Sequence, residues 1–141
     1  MSQVTNYIYL GSKTEAQDVE WLAANNIKIV INVARDLSHL EYPPGIQVIK
    51  IAIDDEADPS IDIYLDRIAD YIQNATVHYN KKVLVHCVAG ISRSATFVAY
   101  YLMKYYMLTL PEALALIRQV RPRAKPNMYF MELLQTRAGQ L

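Results

Sequence analysis

The hydrophobic positions of this chain fall into two alternating kinds of run. Tyr7 to Leu10, Lys28 to Val33 with Lys28 apart, Gln47 to Ile53 and Val83 to His86 are short, rich in β-branched residues and of strand length. The second and fourth are continuously apolar, as expected where both faces of a sheet are covered. Between and after them lie segments of helical spacing. Thr14 is a candidate cap for a helix reaching about Asn25, with Ala16, Val19, Leu22 and Ala23 on one face. Ser60 opens a helix whose apolar positions Ile61, Leu65, Ile68, Ile72 and Ala75 step by about one turn each. Arg93 to Tyr106 contains neither Gly nor Pro and reads as a third helix. Thr109-Leu110-Pro111-Glu112 has the form of a cap followed by an early proline, opening a helix through Leu114, Leu116 and Ile117 to Val120. A last helix is expected from about Asn127 to Thr136.

Strands that alternate with helices pair in parallel through right-handed crossovers. The expectation is therefore an α/β fold: a central, mostly parallel sheet of four to five strands, flanked by helices on both faces. Ligands in such sheets bind beyond the carboxyl ends of the strands. There the loop after Val83–His86 would meet the acidic turn Asp54-Asp55-Glu56-Ala57-Asp58-Pro59. Leu37 to Gly45 and the basic stretch Arg121 to Pro126 read as connections.

Composition narrows the class. With 141 residues, 52% hydrophobic and 20% charged, residues 1–141 fit a single globular domain. Fourteen basic and fourteen acidic side chains cancel, so no overall field draws the chain to nucleic acid or to an anionic membrane. One cysteine excludes an internal disulfide, and His39, His78 and His86 do not stand at metal-ligand spacing, so no metal or cofactor is expected. Free thiol usage favours an intracellular, reducing compartment, the cytoplasm with the nucleus also open. Met1-Ser2-Gln3 opens neither a signal peptide nor a myristoylation motif, and no apolar run approaches the ~18 residues of a membrane span. Asn74-Ala75-Thr76 matches a glycosylation acceptor but falls in an expected helix.

The chemistry is concentrated in Val83-Leu84-Val85-His86-Cys87-Val88-Ala89-Gly90-Ile91-Ser92-Arg93-Ser94. A loop passing from a strand into a helix N-terminus turns successive backbone N–H groups toward one point, where they and the helix dipole favour an anion. Gly90 is the residue that lets it curl. Cys87 sits at the focus of these donors, which favours its thiolate. Arg93 adds a permanent charge and a planar fork that matches two phosphate oxygens. Cysteine and arginine at this offset coincide by chance about one time in twenty; adding His86, Gly90 and Ser94 lowers that to the order of one in a hundred thousand.

His86-Cys87-x-x-Gly90-x-Ser92-Arg93-Ser94 resembles the signature loop of the cysteine-dependent protein tyrosine phosphatases, specifically the small dual-specificity branch. The likeness runs from Tyr7-Ile8-Tyr9-Leu10-Gly11 through Ile31-Asn32-Val33 to Arg121-Pro122-Arg123-Ala124-Lys125-Pro126-Asn127. It implies a phosphatase-like fold and a phosphorylated protein as substrate. It also implies Cys87 as nucleophile through a phosphocysteine intermediate, and phosphate bound by Arg93 with the N–H groups from Val88, Ala89, Gly90, Ile91 and Ser92 to Arg93. Ser94 would hydrogen-bond the thiolate, against the competing reading of a first-turn helix residue. His86 would fix the loop, a role that overlaps with a satisfied core histidine. Asp55 is the best match to the family's general acid, with Asp54 and Asp58 as rivals. Asn127 resembles the asparagine that helps hold the loop, against a plain helix N-cap. Arg121, Arg123 and Lys125 are open between a second phosphate pocket and a solvated basic loop.

The signature loop carries no lysine, which disfavours polyphosphorylated lipids, and Arg93-Ser94-Ala95-Thr96 departs from the Arg-Thr-Gly of the RNA 5′-phosphatases. The short chain leaves no room for the recognition loop of the phosphotyrosine-only enzymes. A shallower pocket would admit phosphoserine and phosphothreonine beside phosphotyrosine. A phosphate-binding module without turnover, and an interaction protein using the helix of Tyr100, Tyr101, Tyr105 and Tyr106, are the competing classes. Oligomeric state is open between monomer and weak dimer.

Overall fold

The structure is a computed structural model that describes residues 3–141. The reading of Met1-Ser2-Gln3 as no targeting signal falls largely outside the described residues. The elements in chain order are β1 (Ile8–Gly11), α1 (Lys13–Gln17), α2 (Val19–Ala24), β2 (Ile27–Asn32), a 3-10 turn (Arg35–Leu37), β3 (Gln47–Lys50), α3 (Ile61–Gln73), a wide π-type turn (Asn74–His78), β4 (Lys82–His86), α4 (Arg93–Tyr105), α5 (Leu110–Val120) and α6 (Met128–Ala138). The four strands form one sheet in the order β1-β4-β2-β3, and every pair is parallel.

The apolar strand runs are explained by burial on both sides. Successive side chains of a strand point to opposite faces. Ile8, Leu10, Ile29, Ile31, Val83 and Val85 join the larger core under α3, α4, α5 and α6. Tyr9, Val30 and Leu84 point the other way and pack with Ala16 and Leu22 of α1 and α2. Ile27 also joins this smaller layer, because the register shifts between Ile27 and Ile29. The central strand β4 is buried from Val83 to His86, so its end carries the following loop on a rigid base.

The first helical segment differs from the expectation. Ser12, not Thr14, is the cap; its side chain accepts from Thr14 N–H while Glu15 reaches back to it in a capping box. Asp18 takes an extended conformation that ends α1, and its carboxylate accepts from Trp21 N–H to start α2. The break turns Val19 and Ala23 out to solvent, where one continuous helix would have buried them. β3 is also shorter than expected and ends at Lys50. The capping box of Thr109 and Glu112 stands as read.

The π-type turn after α3 leaves Thr76 buried with its hydroxyl on Ile72 O at 2.8 Å. Among the described residues no helix is long and apolar enough to cross a membrane. Tyr100 and Tyr101 are fully buried, whereas Tyr106 is half exposed.

Asp66 joins three helices. Its carboxylate accepts from Tyr100 Oη at 2.6 Å and from Lys104 Nζ and Arg137 Nη1 at 2.9 Å each. These donors, Tyr100 first, hold its carboxyl at about 2 against an ordinary 3.8. A carboxylate depressed in this way stabilises the fold above its ordinary pKa, and the contribution disappears as pH falls through its folded value. Asp66→Asn is expected to cost about 1 kcal/mol at pH 7, a figure discounted because the group is half exposed. Urea melts of both proteins should differ fully above pH 4 and converge toward pH 2.

Candidate active site

β4 ends at His86 and α4 begins at Arg93, leaving Cys87 to Ser92 as the turn between them. Four of its carbonyls face outward and are held by neighbouring segments. Val88 O accepts from Lys13 N–H at 2.8 Å, and Ile91 O from Lys125 N–H at 2.8 Å. Ala89 O and Gly90 O accept from Arg121 Nη2 and Nε at 3.0 and 3.2 Å. A trans peptide is planar, so the N–H that follows each of these carbonyls points the opposite way. The amides of Ala89, Gly90, Ile91 and Ser92 therefore face the concave side. Among the described residues none of the four has a hydrogen-bond acceptor.

Gly90 takes φ +69, and a Cβ there would lie 2.5 Å from Arg121 Nη2 and 2.8 Å from Gly11 O. Positive φ and close packing both demand glycine at this position. Arg121 is itself fixed by Glu15, with Nη1 to Oε1 at 2.6 Å. Burial pushes the Glu15 carboxyl up, but Ser12 and Arg121 outweigh it and hold the group below its ordinary value. The capping box of α1 thus sits directly behind the loop.

Cys87 is buried at the floor of the turn, and its Sγ lies 3.2 Å from Ser94 Oγ. Ser94 is wholly buried in the first turn of α4 and faces the sulfur. Arg93 is buried too. Nη1 donates to Asp36 Oδ1 at 2.7 Å and to Ile53 O at 2.9 Å, with Nη2 on Asp36 Oδ2 at 3.5 Å. Its Nε is buried without an acceptor. One edge of the guanidinium is thus anchored to the protein while a donor on the other remains unpaired. Hydrogen bonding from Arg93 holds the Asp36 carboxyl below its ordinary value.

His86 is fully buried. Its Nδ1 lies 3.2 Å from Cys87 O, an acceptor, so Nδ1 carries the hydrogen and Nε2 accepts from Tyr42 Oη at 2.6 Å. Burial pushes the imidazole below its ordinary value, against the Cys87 carbonyl, and pushes Tyr42 up to about 12. A neutral ring between a phenol and a carbonyl locks the strand end; it has no free nitrogen for proton abstraction.

The three acidic candidates separate. Asp54 pairs with Arg35 at 3.0 Å. Asp58 accepts from Asp54 N–H at 2.8 Å and from Ser60 N–H and Oγ at 3.0 and 2.6 Å, closing the turn before α3. Burial raises its carboxyl, but these bonds prevail and lower it. Asp55 is exposed and is held by one donor, Asn127 Nδ2 at 3.1 Å. Asn127 also caps α6 by accepting from Phe130 N–H, and its own N–H donates to Ser92 Oγ at 2.9 Å. One residue thus caps a helix and bonds both the acidic turn and Ser92.

The side chain of Arg121 is committed to the loop and Glu15. It is a clamp. Arg123 and Lys125 stand exposed with no side-chain partner among the described residues. Among those residues no group of three or more His, Cys, Asp or Glu is placed to hold a metal ion. Sequence reasoning missed Asp36, Tyr42 and Glu15, whose partners lie 57, 44 and 106 residues away. The capping box around Glu15 was the single local signal.

A parallel α/β sheet whose β4 leads through a buried cysteine into a tight turn before α4 defines the class. The chain matches the family described as dual specificity phosphatase, catalytic domain, over residues 8–138, and it belongs to that family. It is 33% identical to mouse dual specificity protein phosphatase 14, across all of this chain and 70% of the relative. It is 35% identical to the protein phosphatase Slingshot homolog of Xenopus laevis across 99% of this chain, which spans about 20% of that relative's length. The crystal structure of DUSP15 superposes with a TM-score of 0.91 at 29% identity, covering 98% of this chain and 86% of that one.

Asp36 anchors Arg93 without reaching into the turn itself. Asp36→Ala is expected to weaken orthovanadate binding about tenfold by freeing the guanidinium. Gly90→Ala should weaken it far more, through loss of the turn. Equilibrium titration measures both.

Proposed function

We propose that the chain is a single catalytic domain that hydrolyses phosphotyrosine and phosphoserine or phosphothreonine in proteins, through a phosphocysteine intermediate. The observation that carries this reading is the convergence of unpaired donors on Cys87: the four inward amides and the orphaned Arg93 Nε. Arg93 Nε is a buried donor without an acceptor, which is costly unless it serves an anion. A phosphoryl group supplies three equatorial oxygens, and the family to which the chain belongs acts on that group.

Cys87 Sγ attacks phosphorus as the thiolate while the bond to the leaving oxygen breaks and Asp55 gives that oxygen its proton. The amides and Arg93 hold the equatorial charge. Asp55, now ionised, then takes a proton from water as the water oxygen attacks phosphorus. The S–P bond breaks, phosphate departs, and the Ser94 hydroxyl donates to the released thiolate. Asp55 is favoured over Asp54 and Asp58 because those two are engaged in an ion pair and a turn. A nucleophile that must stay reduced suits an intracellular compartment.

Cys87→Ser should abolish release of phosphate from p-nitrophenyl phosphate and phosphopeptides while retaining phosphopeptide binding. Turnover that survives the change would remove covalent catalysis, and a native protein that binds without turnover would be a recognition module. Asp55→Ala should lower kcat by about a hundredfold or more for poor leaving groups and far less for good ones. If Asp54→Ala gives that pattern instead, the acid is Asp54.

A further inference from the structure

Away from the signature turn, α4, α5, α6 and the α4–α5 connection line an open groove of about 840 Å³. Its wall is apolar and rich in methionine, with Met103, Met107, Met131, Leu110 and Leu114. Met107 is 88% exposed and stands in the left-handed region at φ 55. A large apolar side chain is thereby displayed at the groove's rim. The lining side chains include two cations, Lys104 and Arg118, and no acidic side chain. Lys104 is neutralised by Asp66 and Asp70 at 2.9 and 2.8 Å. Arg118 spends Nε on Ala124 O at 2.8 Å and has no acidic partner among the described residues.

We propose that this groove binds a single-chain amphiphilic carboxylate, a ligand of the fatty-acid class, with its acyl chain among the methionines and its head group on Arg118. The volume falls in the range of small-molecule sites. Unbranched thioether side chains adapt to a flexible chain better than branched ones do. The guanidinium offers a carboxylate two parallel donors. A cationic head group meets Arg118 with like charge, and a neutral one leaves that charge unanswered. The same helices carry the parts of the signature turn: Arg93 opens α4, Arg121 ends α5 and Asn127 caps α6. Filling the space between them braces all three attachments from the far end. This inference stands independently of the proposed catalytic roles.

Titration with laurate below its micellar concentration, followed by calorimetry and by melting temperature, tests it. Saturable one-to-one binding and a rise in Tm through ligand linkage are expected. Arg118→Gln should weaken laurate about tenfold and leave dodecanol unchanged. Met131→Trp should fill the groove and weaken both, with circular dichroism melts confirming that each variant folds. Absence of saturable binding overturns the proposal, as does equal affinity for dodecyltrimethylammonium or laurate binding that neither variant alters. A dimer that Leu114→Glu disperses and laurate does not would assign the groove to a second copy of the chain. Binding to phosphatidylserine vesicles without binding of free laurate would assign it to a membrane. Either result also overturns the proposal.

Discussion

Everything at this site depends on the outward turning of four carbonyls. A peptide plane cannot rotate its C=O without carrying its N–H to the other side, so whatever holds Val88, Ala89, Gly90 and Ile91 by their oxygens also aims the next four amides. The holders come from three places: Lys13 at the start of α1, Arg121 at the end of α5, and Lys125 in the connection to α6. None of them is near the turn in sequence. The inward set of amides is therefore a product of tertiary packing acting on a short stretch of backbone.

The same logic extends to the charged side chains. Arg93 is fixed along one edge by Asp36 and by the carbonyl of Ile53, just before the acidic turn. Asn127 then joins that acidic turn to Ser92 on the other side. Cation, acidic turn and loop are linked by direct hydrogen bonds, with no long flexible element between them. Preorganised donors of this kind need little rearrangement when charge develops on a bound group.

Burial determines what the remaining groups contribute. His86 lies inside the sheet end between Tyr42 and the Cys87 carbonyl, a neutral brace. Asp66 lies on a partly wet helix face and binds three donors from α4 and α6, so it stays ionised and holds α3 to its neighbours. One is an acceptor and donor locked in a dry layer, the other a charge retained by abundant donors.

Much was legible without coordinates. The unbroken apolar runs implied strands covered on both faces, and β2 and β4 occupy such positions. The spacing of Cys87, Gly90 and Arg93 implied a tight turn between a strand end and a helix start, and Cys87 to Ser92 form that turn. Asp18 breaking the first helix was not legible, since a single capping carboxylate outweighed a plausible apolar face. The partners that separate Asp54, Asp55 and Asp58 were not legible either. Their difference rests on which one Arg35, Ser60 or Asn127 reaches. Local backbone preference and periodicity are properties of neighbouring residues, and the chain alone determines them. The partners of Arg93, His86 and Arg121 are set by where distant segments arrive after the core has packed, and only the tertiary structure decides that.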